Sequence, residues 1–189
     1  MDVSEINFAV LVASLIVAST PLVLAALGEL IVEKSGVLNL GVEGMMIIGA
    51  VAGFIVGVET GSAYIGMIAA AVAGALLSLL FAFIILIMQA NQVASGLALT
   101  IFGLGIAALM GHPYTGIKSP QLQSFSIPFL HAIPIRGTMF FQHDLIVYLS
   151  IIAVIAIWYF LNRMRAGLIL RSVGEDHDVA HSLGYRVIS

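Results

Sequence analysis

Glu33-Lys34-Ser35-Gly36-Val37-Leu38-Asn39-Leu40-Gly41-Val42-Glu43-Gly44 runs straight into the apolar stretch Met45 to Val58. A carboxylate and an amide therefore stand at the mouth of a segment apolar enough to enter a bilayer. Polar groups at membrane depth are costly and usually face a cavity, a partner helix or a solute path. The pattern predicts a membrane protein that moves or binds something polar.

Working outward, composition excludes a soluble globular domain. The 189 residues are 61% hydrophobic and 9% charged, where soluble domains carry about 25% charged residues. A transmembrane helix takes about 20 apolar residues. Ile6 to Gly28, Thr60 to Ile117 and Leu145 to Asn162 contain no Asp, Glu, Lys or Arg, and the second stretch is long enough for two helices. The absence of cysteine excludes a disulfide framework and a thiolate metal site. A net charge of -3 leaves no electrostatic footprint for nucleic acid. Met1-Asp2-Val3-Ser4-Glu5 is acidic and lacks a small-residue cleavage site, so Ile6 onward reads as a retained helix and not as a signal peptide.

These stretches predict an all-α polytopic membrane bundle of about five transmembrane segments. Helix 1 is expected over about Ile6 to Leu27, with Pro21 near one end, followed by a polar turn from Gly28 to Gly36. Segment 2 covers about Val37 to Val58, and its glycine-rich, polar first half is compatible with a broken or re-entrant segment. Helix 3 is expected over Ala63 to Met88, a break at Gln89-Ala90-Asn91-Gln92, and helix 4 over Val93 to Met110. The connection from Gly111 to His143 holds Pro113, Pro120, Pro128 and Pro134, too many for a continuous helix. Helix 5 follows over Asp144 to Leu161. Residues 1–161 thus form the membrane bundle, and 162–189 a polar C-terminal segment. Arg163, Arg165, Arg171 and Arg186 all follow helix 5, which predicts a cytoplasmic C-terminal segment. Five crossings then place the N-terminus and the Pro-rich loop outside. If segment 2 does not cross fully, the N-terminus flips.

Small residues recur every four positions at Gly49, Gly53 and Gly57, at Ala70, Gly74 and Ser78, and at Gly103, Ala107 and Gly111. That spacing lets helix backbones approach closely in lipid. Asn39 and Glu43 would share a face if their segment is helical. They then line a translocation path or clamp it. In the other reading they mark an interfacial helix start, with Glu43 facing water or Lys34. Gln89, Asn91 and Gln92 could bond a polar solute, with Asn91 and Gln92 in a path, or satisfy backbone groups in a tight turn. His112, His131 and His143 match no standard metal spacing, so no metal site is expected.

The C-terminal segment reads Arg165-Ala166-Gly167-Leu168-Ile169-Leu170-Arg171-Ser172-Val173-Gly174-Glu175-Asp176-His177-Asp178-Val179-Ala180-His181-Ser182-Leu183-Gly184-Tyr185. It is a basic amphipathic start followed by a short helix pattern, read either as a solvated tail or as a docking helix for a soluble partner. It resembles the cytoplasmic coupling motif of ABC importer permeases of the sugar, nucleoside and branched-chain amino acid family. Gly167, Arg171, Gly174, Glu175, Ala180 and Gly184 match, while Ser172 and His181 depart from the usual small residues. Thr20-Pro21-Leu22, Ala25 to Leu30 and Glu33 to Met46 are similar to the nucleoside-type permeases in particular. The resemblance spans essentially the whole chain but only part of the family's usual length, so the chain reads as a fragment, a split gene product or a truncated form.

The resemblance implies a multi-pass plasma-membrane permease subunit of an ATP-driven importer of nucleosides, or of simple sugars. It implies as partners a second permease subunit, cytosolic ATP-binding subunits and an extracytoplasmic solute-binding protein. Coupling would involve Arg171, Gly174, Glu175, Asp176, Ala180, Leu183 and Gly184. The chain itself is expected to bind no cofactor and to catalyse no reaction: it contains no G-x-x-x-x-G-K-[ST], and ATP would sit on the partner. A secondary transporter would need protonatable groups deep in its helices, where Glu43 is the one candidate. A membrane scaffold that docks a partner through its tail is the other alternative.

Overall fold

The computed structural model describes residues 8–120, 125–126 and 142–176. Its helices are α1 (Phe8–Lys34), α2 (Val42–Thr60), α3 (Ala63–Ala82), α4 (Gln92–Gly111), α5 (Leu145–Arg163) and α6 (Arg165–Glu175). α3 runs on into a π-helical turn, Phe83–Ile87, and α4 into a 3-10 turn, His112–Tyr114. Two residues each of β1 (Phe125–Ser126) and β2 (Gln142–His143) pair antiparallel, Phe125 opposite His143. Among the described residues, five helical stretches are long and apolar enough to cross a membrane, as the apolar runs predict. By its contacts the chain forms two compact units, Met1–Gly28 with Leu122–Leu168, and Glu29–Gln121 with Ile169–Ser189.

Two sequence expectations about α1 are corrected. Pro21 lies in the middle of the helix and not near one end, and the helix continues through Glu29 to Lys34 instead of ending at Leu27. A span in lipid must satisfy its backbone internally, so one missing N–H at Pro21 and the glycine at Gly28 do not stop it. Gly36 does. It adopts φ 86°, its N–H bonds the Glu33 carbonyl at 3.0 Å, and the Val37 N–H bonds the Val32 carbonyl at 3.3 Å. This is the paired Schellman closure, which a left-handed glycine makes without strain.

Segment 2 is also corrected. Val37 to Gly41 is irregular, but from Val42 the helix is unbroken for 19 residues. That is about 28 Å at 1.5 Å per residue, enough for a full crossing. α2 is the centre of the second unit. A Cβ at Gly53 would lie 2.8 Å from Ala70 Cβ and 2.9 Å from the Gly66 carbonyl oxygen, and one at Gly49 3.1 Å from the Ala70 carbonyl oxygen. Gly44 sits about 140° around the helix from Gly49 and faces α4. A Cβ there would stand 2.7 Å from the Leu99 carbonyl oxygen and from Thr100 Cα, and one at Gly103 would stand 2.8 Å from Gly44 Cα. The predicted stripes therefore pack α2 between α3 and α4. On α3 the close residues are Gly66 and Ala70, while Gly74 has only the Met45 carbonyl oxygen at 3.8 Å. Leu77, Phe81, Ile85 and Leu99 form the buried cluster, with Val37, Met45 and Ile48 against it.

In the first unit, α5 ends at Met164, whose φ −92° and ψ 143° turn the chain into α6. Gly167 is buried there, with no room for a Cβ against the Phe160 carbonyl oxygen and Leu161 Cα.

Replacing Gly44 by Ala forces backbone apart and should cost about 1–3 kcal/mol, the usual toll of overpacking. Gly105, with nothing within 4 Å of its Cβ position, should accept Ala with unchanged or slightly raised stability. Thermal unfolding of the two variants in detergent decides this, and equal midpoints would refute the α2–α4 contact.

Candidate functional site

Between α1 and α2 runs a strap of non-helical backbone, Ser35 to Gly41. Its polar groups have to be satisfied one by one, because unpaired N–H and C=O groups between two spans are expensive. Ser35, Gly36 and Val37 donate to the last carbonyls of α1. The Leu38 N–H donates to Gln92 Oε1 at 2.8 Å. The Asn39 N–H donates to Glu29 Oε1 at 3.3 Å. The Gly41 N–H donates to Asn39 Oδ1 at 2.9 Å. The Leu40 carbonyl accepts from Thr100 Oγ1 at 3.0 Å, and the Gly41 carbonyl accepts the Met45 N–H at 3.1 Å, opening α2. Gly96 permits this seat: a Cβ there would stand 2.9 Å from Leu40 N and 3.0 Å from Gly41 N.

The proposed Asn39–Glu43 face does not form. Asn39 is buried, precedes the helix, and spends its side-chain oxygen on the backbone two residues on. This is the local turn that asparagine offers in competition with helix. Glu43 is exposed in the first turn of α2, where the helix dipole favours an acid. Asn91 and Gln92 act on backbone groups. Asn91 Oδ1 caps α4 by accepting the Ala94 N–H at 3.0 Å, while Gln92 reaches across to the strap. The break they occupy includes Gln89 at φ 52°.

Two residues emerge that spacing alone did not single out as site residues. Glu29 holds the strap through one carboxylate oxygen, and its Oε2 is buried with no hydrogen-bond partner among the described residues. A carboxylate within Leu27-Gly28-Glu29-Leu30-Ile31-Val32 was the available signal. Thr100 is the other, the hydroxyl in the α4 face that meets Leu40. At the opposite end of α2, the Tyr114 hydroxyl donates to Glu59 Oε1 at 2.7 Å, and Pro120 Cγ lies 3.7 Å from the Cβ position of Gly57. α2 and α4 are thus tied at both ends, which agrees with full crossings.

Of the C-terminal residues, Ala180, Leu183 and Gly184 lie outside the described residues. Gly174 packs on the chain's own turn: a Cβ there would strike the Lys34 carbonyl oxygen and stand 2.7 Å from Gly36 N. Arg171, one turn earlier on α6, has a buried Nε with no hydrogen-bond partner among the described residues. Glu175 and Asp176 are exposed.

Residues 11–188 match the family described as branched-chain amino acid transport system / permease component. The chain is 38% identical over 174 residues to a putative glucose ABC transporter permease protein of Haloferax volcanii, covering 90% of this chain and 53% of the relative. It is 35% identical to a guanosine ABC transporter permease protein of Bacillus subtilis, over 99% of this chain and 62% of the relative. It is 33% identical to a nucleoside ABC transporter permease protein of Lactococcus lactis subsp. cremoris, over 94% of this chain and 60% of the relative. The chain thus spans between half and two thirds of the length of these curated relatives. No solved structure matches it.

Asn39→Ala should leave the Gly41 N–H unpaired in a buried turn and cost about 1–3 kcal/mol. Glu43→Ala, on an exposed first turn, should cost under about 1 kcal/mol. Thermal or denaturant unfolding of both variants tests the assignment, and a Glu43 loss as large as the Asn39 loss would reverse it.

Proposed function

The chain belongs to the branched-chain amino acid transport system / permease component family, and from that premise we propose that it is part of the permease subunit of an ATP-driven importer of nucleosides. The observation that carries the reading is the family match over residues 11–188, nearly the whole chain. The guanosine and nucleoside permeases among its relatives support the substrate class. A simple sugar is the second reading, favoured by the putative glucose permease at 38% identity.

In this reading the bundle provides a path through the membrane, and ATP is bound and hydrolysed on separate cytosolic subunits. A second permease subunit completes the path, and an extracytoplasmic binding protein delivers the solute. The basic residues Arg163, Arg165 and Arg171 support a cytoplasmic position for the α5–α6 corner. The strap and the Gln89–Gln92 break lie at the same end of the second unit as Gly174, which fits that assignment. The exposed Glu175 and Asp176, with the residues that follow, are the docking segment for the ATPase. ATP-driven closure of that subunit displaces the segment and shifts the bundle between outward- and inward-open arrangements.

Radiolabelled uptake with the ATP-binding subunits and binding protein co-expressed should show nucleosides, and not glucose, entering in an ATP-dependent manner. Glucose uptake without nucleoside uptake would establish the second reading instead. Glu175→Lys should lower ATPase co-purification by about tenfold, or 1.4 kcal/mol. A cation at a helix C-terminus does not destabilise α6, so unchanged co-purification would place docking elsewhere.

A further inference from the structure

The strap is held at its two ends by different parts of the chain. At the α1 end, Gly174 of α6 lies against Lys34, Ser35 and Gly36. The Cβ position of Gly174 meets the Lys34 carbonyl oxygen, and stands 2.7 Å from Gly36 N and 2.8 Å from Ser35 C. At the α2 end, the strap is bonded to α4 through Leu38 and Gln92, through Leu40 and Thr100, and through backbone contact at Gly96. At Gly174 and at Gly96 the contact is backbone on backbone, which leaves little room to absorb a displacement, and the Gln92 and Thr100 side chains add hydrogen bonds at the α2 end. Close-packed elements of this kind move together or switch arrangement; they do not deform gradually.

Glu29 bonds the strap at Asn39, between Leu38 and Leu40. One carboxylate oxygen accepts the Asn39 N–H, and the other is buried with no hydrogen-bond partner among the described residues. A buried, half-used carboxylate is a costly way to satisfy one N–H. What it supplies is an acceptor for the Asn39 N–H, which has no helical partner.

We propose that the strap from Ser35 to Gly41 is the element that passes movement of α6 to α2 and α4, with Glu29 as a positioning residue that keeps the strap in register with the start of α4. The inference rests on the reading of the chain as an importer permease, and it names what the coupling segment pushes. Displacement of α6 moves Gly174. Gly174 moves the Lys34–Gly36 turn, and the strap carries the shift to Gln92 and Gly96. Gln92 therefore serves as a link in transmission and not as a solute ligand.

The test uses the full permease that carries this chain, reconstituted in proteoliposomes with its partner permease, ATP-binding subunits and binding protein. Solute transported per ATP hydrolysed is measured beside complex yield. Glu29→Ala and Gly174→Ala should each lower the transport ratio by about tenfold, the upper scale of one hydrogen bond. Glu29→Gln, which retains an acceptor oxygen, should recover most of it. An unchanged ratio in both Ala variants, or equal loss in Glu29→Ala and Glu29→Gln, overturns the proposal.

Should the Ala variants fail to assemble, a second measurement decides. The chain has no cysteine, so Leu38→Cys, at an exposed strap position, provides a unique thiol in it. Its labelling rate by a maleimide should change severalfold when a non-hydrolysable ATP analogue is added to the complex. A constant rate overturns the proposal while leaving ATP-dependent uptake, and with it the transport reading, intact. A wild-type complex with no ATP-dependent uptake sinks both.

Discussion

The unsatisfied backbone of Ser35 to Gly41 is the constraint on which the second unit depends. Two spans flank this strap, and its N–H and C=O groups need partners that the local chain supplies only in part. The partners come from Glu29 on α1, Asn39 in the strap itself, and Gln92 and Thr100 on α4. Each bond also fixes a position. Gly96 has to be glycine because Leu40 and Gly41 sit where a side chain would be, and Gly44 and Gly103 continue the same close approach one turn and more along. The helix packing is therefore an extension of the strap's hydrogen bonding: the turn sets how near α2 and α4 come, and the small residues allow it.

The same constraint explains what the amides do. Asn39, Asn91 and Gln92 form the polar signal in the sequence, and polar residues in an apolar chain invite a reading as solute ligands. In the structure each is engaged with a backbone group within 3.0 Å. Their role is to let the chain reverse direction twice at one end of the bundle. One of those turns, Lys34–Gly36, lies against Gly174 on α6.

Much of the fold could be read from residue order because membrane helices obey a local rule: long apolar runs with internal hydrogen bonding. The five spans, the break at Gln89–Gln92 and the four-residue glycine stripes are local patterns of that kind. The expected end of α1 at Leu27 falls short because Glu29, Glu33 and Lys34 read as a polar turn, while the residue that stops the helix is Gly36, identified by its left-handed backbone and paired carbonyl bonds. The Asn39–Glu43 face failed because periodicity was extended across a residue whose own side chain closes a turn. Leu38 with Gln92 across 54 positions, and Tyr114 with Glu59 across 55, were beyond reach. They depend on which helix ends meet, and no local spacing encodes that.

If the strap is a bonded, packed element and not a surface loop, its amides must resist exchange with solvent. Hydrogen exchange of the protein in a lipid nanodisc, resolved at Leu38, Asn39 and Gly41, measures this directly. The account predicts protection at these three amides comparable to the first turns of α2, although none of them lies in a helix. Exchange at the rate of an open loop would contradict it and return the strap to a passive connection between two spans.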